Sequence, residues 1–199
     1  MRTIRYGFFG EDEAQRLFLH HYLTALSNNS VYLFESDESF GLVGGNKSQV
    51  DNRFVEACEI GLIRHRQQCF FVGRDLDDYA PEAFREKITD MQERLRQRSV
   101  SAILLVPIQC IEHWLLYLQW RESNPQTNKN VSLETIPRKE AKIKLYGKPK
   151  PPLSLALPIV EEIAATLDID WLASRSLSFL AFHKQVEAYL ASLLPETAA

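Results

Sequence analysis

Residues 68–78 read QCFFVGRDLDD, a short apolar run that ends at Gly73 and is followed by an acidic turn. The run predicts a β-strand over residues 68–73. A second run, VSAILLVP at residues 100–107, is largely apolar, which is typical of a strand buried on both faces of a parallel sheet. The two runs together indicate a parallel sheet that is covered by helices on both sides.

Strands and helices alternate outward from these two runs. Further strands are expected at residues 3–9 and 31–34. Apolar residues at helical spacing predict helices around residues 17–26, 51–62, 81–95 and 111–120. The second helix is expected to open at Asp51, and in the fourth we expect Trp114 in the core and His113 at the surface. The alternation predicts an α/β, Rossmann-like fold with a mostly parallel sheet over residues 1–120.

The remainder of the chain lacks this alternation. Residues 121–152 are polar, basic and poorly periodic, and they predict an irregular connection. Residues 153–199 predict a helical C-terminal extension packed on the core, with helices around residues 157–167 and 176–194.

Length and composition narrow the class of protein. A chain of 199 residues with 45% hydrophobic and 25% charged residues is typical of one globular domain with an appendage. Three widely spaced cysteines, Cys58, Cys69 and Cys110, argue against both a disulfide framework and a zinc finger. Neither a signal peptide nor a membrane-length apolar run is found, so we expect a cytoplasmic protein that does not enter a membrane.

The charge of the chain is unevenly distributed. The net charge of −3 excludes the globally basic surface of a nucleic-acid coat protein. Residues 128–150 nevertheless contain seven basic and two acidic side chains. This segment is interpreted either as a contact surface for a polyanion or as a solvated loop.

Carboxylates follow several of the predicted strands. Glu11 follows the first strand, Asp75 and Asp77 follow the strand at residues 68–73, and Glu112 follows the run at 100–107. The carboxyl ends of parallel strands meet at one edge of the sheet, where these groups would repel each other unless a cation neutralised them. Hard oxygen ligands of this kind suit Mg²⁺ or Mn²⁺.

These residues resemble the Toprim family, the metal-binding catalytic domain of topoisomerases, primases and several nucleases. Its members have a glutamate after the first strand and an Asp-x-Asp after a later one, which correspond here to Glu11 and to Asp75 and Asp77. The chain is more similar to the small DUF4276 and RloB-like Toprim group of bacterial defence loci. That likeness rests on Phe18-Leu19 after the acidic turn, on IEHWLL at residues 111–116 and on SLSF at residues 176–179.

The chain also departs from the pattern of this group. Asp12 stands where the group has a glycine, Gln15 where it has a second acid, and Leu177 where it has a proline. These departures raise the question of whether the turn around Glu11 still supports catalysis.

The resemblance implies a Mg²⁺- or Mn²⁺-dependent nuclease, acting on DNA or RNA in anti-phage defence. Asp75 and Asp77 would hold the metal, and Glu11 would be a ligand or general base. Glu112 would either orient a ligand or basic residue at the site or cap the helix after the apolar strand. The basic segment would contact the phosphate backbone through four lysines: Lys142, Lys144, Lys148 and Lys150.

The same resemblance implies partners and a first rival function, and the topology alone suggests a second. Members of the resembling group are found beside ATPase genes, which implies an ATPase subunit as a partner. We expect this partner to dock on the last helix, at the apolar residues Leu190, Leu193 and Leu194. A homo-oligomer is also possible. The first alternative is a catalytically inactive, Toprim-like binding subunit of an ATPase complex. The second, a Rossmann-like nucleotide-binding module, is disfavoured because Gly-x-Gly-x-x-Gly is missing after the first strand.

Overall fold

A parallel β-sheet forms the centre of the protein. The computed structural model describes residues 2–28, 30–37, 39–40, 42–43, 46–126 and 132–194. The described strands are β1 (Arg2–Gly10), β2 (Tyr32–Ser36), β3 (Leu42–Val43), β4 (Cys69–Gly73) and β5 (Ile103–Leu105). The sheet order is β2-β1-β4-β5, and β3 pairs with the last residues of β1 on the same side as β2. Every pairing is parallel, which confirms the predicted α/β class.

Helices cover both faces of this sheet. They are α1 (Glu13–Asn28), α2 (Lys47–Glu59), α3 (Pro81–Gln97), α4 (Glu112–Ser123), α5 (Arg138–Tyr146), α6 (Leu153–Ala164), α7 (Ile169–Ala173) and α8 (Leu177–Ser192). A π-helical turn, Ile60–Arg64, follows α2. Alternate strand residues face opposite sides, so Phe71 packs towards α1 and α4–α8 whereas Phe70 packs towards α2 and α3. The result is a three-layer α/β domain.

The C-terminal helices belong to the core of the domain. Phe179 and Phe182 of α8 are buried against Trp114 of α4, with ring centroids 5.2 Å and 5.8 Å from the indole ring. The predicted core position of Trp114 is therefore confirmed. The surface position predicted for His113 is wrong: the ring is buried and its Nε2 lies 2.7 Å from the carbonyl oxygen of Ile136.

The segment predicted to be an irregular connection contains a helix, α5. Pro137 precedes it and Gly147 ends it in the left-handed conformation, with a φ of 69°. Ala141, Leu145 and Tyr146 form its buried side, and they are difficult to recognise beside the four basic residues of the helix. Two predicted segments lie partly outside the described residues. They are the basic connection, which includes Lys129, and the C-terminal extension, which includes residues 195–199.

Two other boundaries differ from the sequence prediction. Helix α2 begins at Lys47 rather than at Asp51, because the side chain of Asn46 accepts a hydrogen bond from the backbone N–H of Gln49. The short helix α7 was not predicted, and it is capped in the same way by Asp168.

Helix α8 also covers the open edge of the sheet at β5. The side-chain amide of Gln185 accepts a hydrogen bond from the backbone N–H of Leu104 at 3.0 Å and donates one to the Leu104 carbonyl oxygen at 3.2 Å. Farther along α8, Leu190 and Leu193 are half-buried against the core, and Leu194 is 60% exposed. Two of the three leucines predicted to form a docking surface are therefore partly covered by the chain itself, and docking of a partner there stays a prediction. Among the residues described, no helix is both long and apolar enough to cross a membrane.

Candidate functional site

The candidate site lies at the carboxyl end of the sheet, where the chain reverses its direction of winding. From β1 the chain moves through α1 to β2 on one side, and it later returns to β4 on the other side of β1. A crevice forms at such a switch point, outside the ends of the two central strands. Gly10 and Gly73 are register partners at these ends, and Glu11 and Asp75 follow them.

The loops after β4 and β5 continue side by side beyond the sheet. The backbone N–H groups of Arg74 and Leu76 donate to the carbonyl oxygens of Leu105 and Pro107, at 2.9 Å and 3.0 Å. Farther along, Asp77 donates to the carbonyl oxygen of Gln109 at 2.9 Å. Asp77 has a φ of 59°, in the left-handed region that aspartate tolerates better than most residues. This ladder holds the Asp75 loop against the loop that leads to Glu112.

Asp75 lies at the centre of the site and is 1% exposed. Its backbone N–H donates a hydrogen bond to Glu11 Oε1 at 2.9 Å, so the two acidic residues predicted to lie together are adjacent. Burial raises the pKa of Glu11 to about 7. Burial, together with the neighbouring carboxylates of Asp12, Glu112 and Glu11, raises the pKa of Asp75 well above its usual value.

Gln15 connects the two acidic residues and was not predicted as a site residue. Its Nε2 donates to Asp75 Oδ1 at 2.8 Å, and its Oε1 accepts from the backbone N–H of Glu11 at 3.1 Å. The side chain passes over Gly10 and Gly73, where a Cβ atom would lie 3.0 Å and 2.5 Å from Gln15 Oε1. The glycine at the end of each strand is the sequence signal for this close approach.

Asp75 and Glu112 form the tightest group of potential metal ligands in the part of the chain that the structure describes. One ligand atom each from Asp75, Cys110 and Glu112 lie within 4.8 Å of one another. All three residues are buried, and Asp75 Oδ2 and Glu112 Oε2 have no hydrogen bond within the described residues. Burial, Glu112 and Asp75 raise the pKa of the Cys110 thiol well above its usual value, which keeps it protonated at neutral pH.

Helix α5 brings basic side chains to these carboxylates. Lys142 Nζ lies 2.8 Å from Glu112 Oε1, and Arg138 Nη2 lies 3.3 Å from Asp75 Oδ2. Burial alone would raise the pKa of Glu112, but Lys142 and the nearby Cys110 lower it below its usual value. Positive charge from α5 thus neutralises part of the acidic cluster.

Asp77 is placed differently from the other predicted metal ligands. Its Oδ2 lies 3.0 Å from Lys47 Nζ, and its Oδ1 pairs with Arg138. Asp77 is not in the group of ligand atoms within 4.8 Å, and neither is Glu11. The structure therefore assembles Asp75 with Glu112 more closely than it assembles the predicted set of Glu11, Asp75 and Asp77.

Arg74 holds the acidic loop in place. Its guanidinium forms two hydrogen bonds, each 3.1 Å long, with the Asp51 carboxylate. It also donates to the backbone carbonyl oxygens of Asp75 and Leu76. Asp51, which the sequence predicted as a helix start, is thus a partner of the site loop.

A cavity of about 700 Å³ opens beside Glu112 and Asp12. Its basic lining comes from Arg138, Lys139, Lys142 and Lys150. Of the four lysines predicted to contact nucleic acid, Lys142 and Lys150 line this cavity. The other two lie elsewhere: Lys144 pairs with Glu140 at 3.4 Å, and Lys148 is exposed outside the lining.

Comparison with known proteins found no match, so the function of the site is interpreted from its geometry. No protein-family model, no curated protein and no solved structure matches this chain.

The residues present fit a divalent cation. The carboxylates of Asp75 and Glu112 belong to one compact, buried group. Glu112 Oε2 has no hydrogen bond within the described chain, and Asp75 Oδ2 has only its ion pair with Arg138. Mg²⁺ and Mn²⁺ are commonly bound by one or two carboxylates, with water or substrate oxygens as their other ligands. Asp75 and Glu112 would therefore hold the ion, and Glu11 lies beside them.

Proposed function

We propose that this protein is a Mg²⁺- or Mn²⁺-dependent phosphodiesterase of the Toprim type that acts on nucleic acid. The observation that carries the proposal is the buried group of Asp75 and Glu112 carboxylates, of which Glu112 lines a cavity that also has basic side chains in its lining. Carboxylates that bind a cation, next to side chains that bind an anion, are the combination that phosphoryl transfer requires.

The side chains divide into three chemical roles. Asp75 and Glu112 hold the cation, which when bound supplies Lewis-acid stabilisation of a phosphoryl oxygen. Glu11, whose pKa is raised by burial to about 7, is suited to accept a proton from an attacking water molecule. Arg138 and Lys142 bind the phosphate and release part of their contact with the carboxylates when it arrives.

A second candidate function is a non-catalytic subunit of a cytoplasmic ATPase complex in anti-phage defence. It is favoured by the ion pairs of Arg138 and Lys142, which place protein positive charge beside the carboxylates of Asp75 and Glu112. It is also favoured by Gln15, a neutral amide that stands where the resembling group has an acid.

Cleavage assays with matched variants test the first function against the second. Single-stranded DNA, duplex DNA and RNA are incubated with the protein and Mn²⁺. We expect Asp75→Asn and Glu112→Gln to reduce cleavage by about 100-fold or more. Asp78→Asn is the control, because Asp78 is exposed and its carboxylate accepts a hydrogen bond from the backbone N–H of Ala80.

The outcomes separate the two functions. Cleavage that survives Asp75→Asn would place the active site elsewhere. If calorimetry detects Mn²⁺ binding but all three substrates stay intact, the enzyme proposal fails and the binding subunit is favoured. Co-purification with an ATPase from the same locus then tests that role directly.

A further inference from the structure

The lining of the cavity beside the acidic cluster combines two kinds of residue. Four basic side chains, Arg138, Lys139, Lys142 and Lys150, exceed in charge the two carboxylates of Asp12 and Glu112 that also line the space. The apolar part of the lining comes mainly from α6 and the segment before it, and includes Pro149, Pro151 and Leu153. A ligand that fills the cavity therefore needs both an anionic group and an apolar or planar body.

The apolar part of the lining contains exposed groups. Leu153 is 58% exposed although it faces this space. Pro149 is exposed and Pro151 is half-buried, so the two prolines offer surfaces on which a planar ring can stack. Tyr146 in the same lining is buried, and burial together with the neighbouring Glu112 carboxylate raises the pKa of its hydroxyl.

The size of the cavity limits the ligand to about one nucleotide unit. At about 700 Å³ it falls within the range of ~300–1,000 Å³ that small-molecule sites occupy. A base that is stacked within a duplex cannot enter such a space without leaving the stack. Single strands and free nucleotides present unstacked bases and can enter directly.

We infer that this cavity binds one nucleoside phosphate, with the phosphate on the basic residues and the base against Pro149, Pro151 and Leu153. The inference rests on the proposed function, since it names the substrate class of the same site: an unpaired nucleotide, from a single strand or free in solution. The base contacts are distinct from the cation ligands, so they can be tested without the reaction.

Binding in EDTA tests the inference independently of catalysis. Adenosine 5′-monophosphate, ribose 5-phosphate and inorganic phosphate are titrated into the full chain by calorimetry. We expect adenosine monophosphate to bind about tenfold more tightly than ribose 5-phosphate, because the base adds stacking to the phosphate contacts. Equal affinity for these two ligands would overturn the inference.

Two matched pairs of variants locate the contacts. Leu153 and Leu177 are both exposed leucines at the first position of a helix, but of the two only Leu153 lines the cavity. Lys150 and Lys148 are exposed lysines of one segment, and of the two only Lys150 lines it. Leu153→Ser should weaken adenosine monophosphate but not ribose 5-phosphate, and Lys150→Ala should weaken both.

The two control variants show whether the loss of affinity is specific to the cavity. Leu177→Ser and Lys148→Ala should leave every affinity unchanged. If each control weakens binding as much as its partner, the ligand lies on a diffuse basic surface and the cavity is not its site. A short single-stranded oligonucleotide that competes with adenosine monophosphate identifies a strand as the natural ligand. Failure to compete identifies a free nucleotide.

Failure of the inference can be told apart from failure of the proposed function. Preferential binding of adenosine monophosphate in EDTA, without Mn²⁺-dependent cleavage of any substrate, overturns the phosphodiesterase alone. Mn²⁺-dependent cleavage without a preference for the nucleotide over ribose 5-phosphate overturns the nucleotide cavity alone.

Discussion

The side-chain amide of Gln15 donates a hydrogen bond to the carboxylate of Asp75, with 2.8 Å between Nε2 and Oδ1. The same amide accepts the backbone N–H of Glu11, which follows the neighbouring strand. One neutral side chain therefore fixes the relative positions of two acidic residues from different strands. An amide can do this without adding a third negative charge to the cluster.

Replacing Gln15 with glutamate should destabilise the metal-free protein. The carboxylate cannot donate to Asp75, and it adds negative charge beside a buried acid. We expect the free energy of unfolding in EDTA at pH 7 to fall by about 1–3 kcal/mol, measured by urea denaturation. Mn²⁺ should restore more stability to Gln15→Glu than to the wild type, because the variant has a further oxygen ligand. Gln49→Glu, on the exposed side of α2, is the control. Equal stability of Gln15→Glu and wild type in EDTA would contradict the role of the amide.

Arg138 should compete with a cation for Asp75. Removing the guanidinium leaves the buried carboxylate without its ion pair, so Arg138→Gln should melt at a lower temperature in EDTA. The vacated oxygen should then bind Mn²⁺ about fivefold more tightly, as measured by calorimetry. Arg98→Gln is the control, because Arg98 makes a similar two-bond pair with Glu59 away from the site. Weaker Mn²⁺ binding by Arg138→Gln would show that Arg138 supports the cation rather than competing with it.

Cys110 should not be a ligand for a hard cation. Its thiol is held in the protonated form, chiefly by burial, although the sulfur belongs to the compact ligand group. Cys110→Ser should therefore change Mn²⁺ affinity by less than about twofold, while Cd²⁺, which favours thiolate, should bind more weakly. The control is Cys58→Ser, since Cys58 is buried on the opposite face of the sheet. A large loss of Mn²⁺ binding by Cys110→Ser would make the sulfur part of the centre.

Asp37 should make stability depend on pH, away from the site. The Ser39 hydroxyl, together with Gln67 and Arg5, lowers the pKa of Asp37 to about 2. Because this folded-state pKa lies below the unfolded value of about 3.9, the stabilisation is present above pH 4 and is lost as the pH falls towards 2.

Asp37→Asn should therefore lower the melting temperature at pH 7 by about 2–4 °C, equivalent to about 1 kcal/mol. The difference between variant and wild type should disappear near pH 2. Asp90→Asn, on the exposed side of α3, should have little effect at either pH. A difference that stays constant from pH 7 to pH 2 would exclude the Asp37 charge as its cause.

The sheet and its acidic edge could be predicted from the sequence because their signals are local. Apolar runs mark β4 and β5; Asp75 comes just after β4, and Glu112 begins the helix that follows β5. The position of Gln15 could not be predicted in this way, because its meaning depends on a partner 60 residues away. Helix α5 was missed because it has few buried positions, Ala141, Leu145 and Tyr146, and basic residues separate them. The ion pair of Lys142 with Glu112 depends on that helix and was therefore missed as well.

The hydrogen bonds of the Gln185 amide affect how readily the protein associates with itself in a crowded solution. An uncovered edge strand is a template for another chain, and β5 is the last strand of its sheet on that side. Gln185 occupies the outward N–H and carbonyl groups of Leu104, so a second strand finds no free hydrogen-bonding groups at that residue. Helix α8 thereby protects the domain from edge-to-edge aggregation, and a protein synthesised without it would be vulnerable to self-association through β5.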